Sequence, residues 1–253
     1  MTKYFMSTIY ILWLRQLKRY FRSKARMIGS LGQPLLFLLA LGFGFGPIYA
    51  KAGGGNFIEF LTPGIIGMSI IFTAVFSGIE IIWDKQFGFL KETLVAPVSR
   101  VNIMIGRTLG GATVATIQGI VVTVISFFIG FRLEHPGSLL LALVMMFMIA
   151  MIFTALGTAI ASVLEDMQGF QLIMNFLVMP LFFLSGSLFP LDNLPKGITI
   201  VSRLDPLSYG VDGLRGILIG QSHFGLVTDF AVMSAILVIL LGIGSYLFSR
   251  IEI

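Results

Sequence analysis

Glu80 sits inside an apolar run from Leu61 to Trp83, where a carboxyl group must hold a proton, bind a polar ligand or meet a counter-charge. Other groups able to do chemistry are few. His135 and His223 lie outside the apolar runs, and no zinc-binding helix motif, nucleophile elbow or paired carboxylates accompany them. Cysteine is absent, which removes thiolate chemistry, disulfides and cysteine metal sites. None of the seven lysines directly follows a glycine, so the sequence has no phosphate-binding loop of the Gly-Lys type. Asp205 and Asp212 have Arg203 and Arg215 near them in sequence, an arrangement that suits loop ion pairs of small energetic weight. Gln33, Gln118, Gln171 and Asn175 are uncharged and polar within apolar surroundings, where they either line a pathway or hydrogen-bond one helix to another.

The elements that hold these residues belong in a bilayer. Hydrophobic residues make up 57% of the chain and charged ones 11%, against roughly 25% charged in soluble domains. Six runs are long and apolar enough to cross about 30 Å of hydrocarbon: Ile28 to Tyr49, Leu61 to Trp83, Thr108 to Phe131, Ser138 to Leu164, Phe170 to Phe189 and Leu226 to Phe248. The expected fold is therefore an all-α integral membrane protein of about six transmembrane helices, a single domain over 1–253. Residues 1–26 form an amphipathic stretch, with Ile9, Trp13, Leu17 and Tyr20 on one side and Arg15, Lys18, Arg19, Arg22 and Arg26 on another. With both termini in the cytoplasm, twelve Lys and Arg fall inside and five outside, as the positive-inside rule requires. The net charge of +5 is thus matched to lipid headgroups, and no nucleic-acid partner is expected. Trp83, one turn from Glu80, places that carboxylate near the interface, where an arginine-paired or snorkelling role is expected.

Two connections are long enough to carry function. The cytoplasmic one, 84–100, predicts a short helix ending near Pro97, with Phe87, Leu90 and Leu94 at helical spacing among charges. On periodicity alone it suits either docking into a protein groove or a simple turn at the interface. The outer one, 190–220, holds two amphipathic pieces, Leu194 to Leu204 and Tyr209 to Leu218, split by Asp205-Pro206. Their apolar sides, Ile198, Val201 and Leu204, then Val211, Leu214 and Leu218, are expected in the outer leaflet. Gly42 to Gly46 and Gly106 to Gly110 have the small-xxx-small spacing of close helix pairs, and Met145, Met146, Met148 and Met151 suit adaptable packing.

The chain resembles ABC-2 type transporter permeases of the daunorubicin-resistance and nodulation-exporter kind. The likeness rests on Phe60-Leu61-Thr62-Pro63-Gly64, on the loop Gly88-Phe89-Leu90-Lys91-Glu92-Thr93-Leu94-Val95-Ala96-Pro97, on Phe183-Leu184-Ser185-Gly186-Ser187-Leu188-Phe189-Pro190 and on Asp205-Pro206-Leu207-Ser208-Tyr209. The resemblance implies that Phe87, Gly88, Phe89, Leu90, Lys91, Glu92, Thr93 and Leu94 form a coupling helix seated in a cytosolic ATPase subunit. It also implies two copies of this chain with two ATPase copies, and short re-entrant helices in the outer connection. The resemblance further implies that ATP and Mg are handled by the partner, that this chain binds no cofactor, and that the setting is a prokaryotic plasma membrane with outward transport. The alternatives are an ATPase-independent secondary transporter or channel, and a non-transporting membrane scaffold.

Overall fold

The computed structural model describes residues 2–53, 55–95, 98–133, 136–191 and 195–251. His135, Ala96, Pro97 and Leu194 lie outside them, as do the side chains of Lys91 and Leu94. In chain order the helices are α1 (Thr2–Arg22), α2 (Lys24–Lys51), α3 (Phe57–Phe76), α4 (Ile79–Gln86), α5 (Phe89–Val95), α6 (Arg100–Ile129), α7 (Leu139–Val163), α8 (Met167–Leu184), α9 (Lys196–Leu204), α10 (Pro206–Ile219) and α11 (Leu226–Ser249). Among the described residues there is no strand. Six segments are long and apolar enough to span a membrane: α2, α3 with α4, α6, α7, α8 and α11. The chain is a multi-pass membrane protein.

Helix starts follow capping chemistry. The side chain of Asn56 accepts from Ile58 N–H ahead of α3, that of Ser99 from Asn102 N–H ahead of α6, and Asp166 caps α8 in the same way. Inside α6 the hydroxyls of Thr116, Thr123 and Ser126 donate to carbonyls four residues back at 2.8 Å. These three hydroxyls are therefore satisfied by their own helix.

α3 is the central post, with Leu61 to Ile71 buried throughout and α2, α6, α7, α8 and α10 packed around it. Glycines permit the closest approaches. A Cβ on Gly78 would run into the Gly157 carbonyl, and one on Gly157 into the Val75 carbonyl, so α7 crosses the α3–α4 turn backbone on backbone. Gly106 and Gly110 receive α1, through Ile9, Leu12 and Gln16. Their spacing thus serves packing within one chain. The methionines play the packing role: Met145, Met146 and Met151 are buried.

The N-terminal stretch differs from its expected limits. α1 ends at Arg22, and Lys24 to Arg26 already belong to α2. One side of α1 packs along the first half of α6, with Leu12 and Tyr20 buried and Trp13 Nε1 donating to Thr113 Oγ1 at 3.0 Å.

Gly157→Ala should lower the apparent thermal midpoint in detergent, by an overpacking cost of roughly 1–3 kcal/mol. Gly29→Ala, where nothing lies within 4 Å, should raise it slightly, by about 0.5–1 kcal/mol of helix propensity. Fluorescence-detected melting of the two variants tests the sign of each.

Candidate functional site

Between α4 and α6 the chain makes a sharp elbow. α4 ends at Gln86 with Phe87 as its C-cap, and Gly88 takes φ +77°, a left-handed conformation that lets α5 start at once in a new direction. Phe87 and Val95 are left 75% and 79% exposed. Leu90 is buried at 2%. The exposed apolar knob therefore consists of Phe87 and Val95 with half-exposed Phe89, whereas Leu90 faces the bundle as the anchor of α5. The reason lies in the elbow: Gly88 breaks the helical register that would have put Phe87 and Leu90 on one side. Glu92 is exposed, and Thr93 Oγ1 donates to Phe89 O at 3.0 Å.

Charge ties this elbow to the rest of the bundle. Arg15 of α1 donates through both terminal nitrogens to Asp84, at 2.8 and 3.1 Å, and its guanidinium lies 3.8 Å from the Phe89 ring centre. Arg107 of α6, with 3% of its side chain exposed, reaches the same carboxylate at 2.5 Å. One turn back, Glu80 pairs with Arg26 at 3.0 Å and Arg19 at 3.5 Å, fulfilling the arginine-paired role expected of it. Lys85 Nζ donates to the carbonyls of Ala161, Ser162 and Leu164 at the end of α7, where a cation also meets the negative end of the helix dipole. Arg100, at the start of α6, donates to Ser249 O and Ile251 O at the end of α11. The elbow is thereby tied to α1, α2, α6 and α7, and α6 in turn to α11.

Asp84 and Arg107 form a buried ion pair that sequence reasoning passed over. Their only signal was an acid and a base at the facing ends of two apolar runs.

Beside the tethers lies a cavity of about 390 Å³ between α1, α2, α3, α4, α6 and α8. Met68, Phe72 and Phe76 make its apolar side, and Gln33, Glu80 and Gln171 contribute polar groups. Those three were among the five polar residues singled out from sequence. Gln118 is instead fully buried and accepts from Tyr20 Oη at 2.7 Å, tying α6 to α1. Asn175 is exposed on α8 and does not line this cavity. Glu80 belongs to both the ion-pair network and the cavity wall, so the state of the elbow and the shape of the cavity share one side chain.

At the opposite end of the bundle, α9 and α10 divide the expected amphipathic pair. Ile198, Val201 and Leu204 on α9 are exposed. Val211, Leu214 and Leu218 on α10 are fully buried against protein, because α3, α7 and α11 close over them. The nearby charges do not pair with one another among the described residues. Asp212 accepts from the N–H groups of His223 and Phe224 and from Ser222 Oγ, bracing the turn into α11. Arg215 donates to Gly186 O at 2.9 Å and stacks over Phe60 at 4.1 Å, and burial lowers its pKa to about 10. Asp205 caps α10 through Leu207 N–H at 2.9 Å, and burial raises its pKa from 3.8 to about 8, only partly offset by that hydrogen bond.

The elbow is tied to the amphipathic α1 and to the spanning helices α2, α6 and α7, and a mixed polar and apolar cavity lies beside it. The model of the ABC-2 type transporter family matches residues 7–219. The chain belongs to that family. Among its relatives are Nodulation protein J of Rhizobium leguminosarum bv. viciae, 26% identical over 226 residues, covering 84% of this chain and 86% of the relative. The inner membrane transport permease YadH of Escherichia coli K12 is 27% identical, with 90% and 89% covered. The putative transport permease ycf38 of Cyanophora paradoxa is 28% identical, with 84% and 74% covered. The family is one of transport permeases.

Asp84→Asn should destabilise the protein by roughly 3–5 kcal/mol, since it leaves the Arg107 guanidinium buried without its counter-charge. Asp84→Asn with Arg107→Met should recover much of that, and Arg15→Gln, at a partly exposed position, should cost about 1 kcal/mol or less. Thermal midpoints of the four proteins measure the ranking.

Asp205 also predicts a pH dependence. The folded chain holds this proton more tightly than the unfolded chain does, so the stability it contributes is full below pH 3.8 and is lost as pH rises through about 8. Asp205→Asn keeps a capping acceptor and should flatten the fall in melting temperature between about pH 5 and pH 9.

Proposed function

We propose that this chain is the membrane permease subunit of an ABC exporter in a prokaryotic plasma membrane, powered by a separate cytosolic ATPase. The observation that carries the reading is the exposed Phe87 and Val95 knob on an elbow bound by Asp84, Glu80 and Lys85 to the surrounding helices. An apolar knob on an otherwise charged surface suits a protein groove, and its connections carry any shift of that groove into the spans. The names of the relatives as transport permeases, one of them an inner membrane permease, support the same reading.

In this arrangement the elbow faces the cytoplasm, together with the last residues of α11 that Arg100 holds. ATP and Mg stay with the partner, and closure of the ATPase pair shifts α5 because the groove contacts it differently in its two states. Arg15 and Arg107 transmit the shift through Asp84, and Arg26 and Glu80 carry it to the cavity wall. The cavity takes an amphipathic cargo, with Phe72 and Phe76 beside its apolar part and Gln33 and Gln171 beside its polar part. A second copy of the chain completes the pathway against α2, α8 and α11, whose surfaces are largely uncovered in one chain.

Phe87→Asp tests the proposal directly. Co-expressed with the ATPase of its operon, the variant should reach the membrane in normal amounts, yet lose co-purification of the ATPase and at least about tenfold of ATP-driven transport, since burying a charge in the groove costs several kcal/mol. Transport that continues unchanged, or that runs without any ATPase, overturns the reading.

A further inference from the structure

The side of α1 turned away from α6 carries a groove of about 690 Å³ lined by Ile11, Leu14, Arg15, Lys18, Arg19 and Arg22, with Ser23 at its end. No acid lines it. Arg15 and Arg19 turn towards Asp84 and Glu80, but Lys18 and Arg22 are exposed and form no ion pair among the described residues. Tyr10, Ile11 and Phe21 stand beside this stripe at 57%, 59% and 52% exposure. Two free cations among bare apolar side chains at the end of a membrane bundle call for a ligand that is anionic at one end and hydrocarbon at the other. A free phosphate would make no use of Ile11 or Phe21, and an acidic protein surface would leave them uncovered in water.

We infer that this stripe seats the phosphate of an anionic phospholipid headgroup, with Lys18 and Arg22 as its ligands and Ile11, Leu14 and Phe21 beside the upper acyl chain. The seat borders the arginines that hold the elbow. An occupied headgroup adds negative charge next to Arg15 and Arg19, in competition with Asp84 and Glu80. The lipid composition of the leaflet thereby acts on the tethers of α4 and α5 without touching the knob itself.

The two tryptophans offer a readout, because Trp83 is 40% exposed and its ring lies 5.7 Å from the Arg19 guanidinium. The purified chain is reconstituted in phosphatidylcholine vesicles containing brominated phosphatidylglycerol or brominated phosphatidylcholine, and quenching of tryptophan fluorescence is compared. The anionic lipid should quench with a relative association constant about tenfold higher, and K18Q/R22Q should bring the two lipids level. Lys196→Gln, on α9 at the other end, should leave the preference intact. If K18Q/R22Q fails to fold, the wild-type chain still decides the matter, since molar salt should erase the preference. Equal quenching by both lipids, a preference unchanged in K18Q/R22Q or in molar salt, or a preference abolished by millimolar inorganic phosphate each overturn the assignment, as does loss of the preference once the ATPase is bound.

Discussion

Asp84 and Arg107 meet where water reaches 6% and 3% of their side chains, and the rest of the structure is arranged so that neither is left alone. A carboxylate or guanidinium without its partner in such a medium costs several kcal/mol, so the pair fixes the end of α4 against α6. Arg15 brings α1 to the same carboxylate and lays its guanidinium on Phe89. Three helices and the elbow are thus bound through one acid. Glu80 repeats the device one turn deeper, with arginines from α1 and α2.

Backbone contacts around this network hold its helices close. Gly78 and Gly157 let α7 press directly on the turn above α4, and Gly106 and Gly110 let α1 sink against α6. Close contact leaves little room for side chains to absorb a displacement of one helix against another. Leu90, buried beneath the elbow, anchors α5 while Phe87 and Val95 remain outside. The opposite end is braced differently, by carboxylates and a guanidinium that bind backbone groups of turns, which gives α10 the character of a buried plug under the exposed α9.

The six spans were legible because an apolar run of sufficient length needs no partner to settle in a bilayer: each helix satisfies its own backbone. The concentration of arginine and lysine near the elbow was legible for a related reason, since those charges avoid hydrocarbon whatever the packing. Glu80 could be given a kind of partner, as a near-interface carboxylate surrounded by basic segments, though not Arg26 and Arg19 by name. The sequence thus determined the number of spans, the membrane setting, the position of the elbow between the second and third spans, and, through its motifs, the family.

What periodicity could not supply was direction. Val211, Leu214 and Leu218 make the same apolar stripe whether lipid or protein lies against it, and only the closure of α3, α7 and α11 decided for protein. Phe87 and Leu90 share helical spacing on paper, and the left-handed backbone at Gly88 sends one outward and the other inward. Gln33 and Gln171 reach one cavity while Gln118 binds Tyr20, an outcome set by helix rotation and depth. Tertiary structure alone chose these partners, because burial of a polar or apolar face lowers free energy against any complementary surface, and which surface arrives is a property of the assembled bundle.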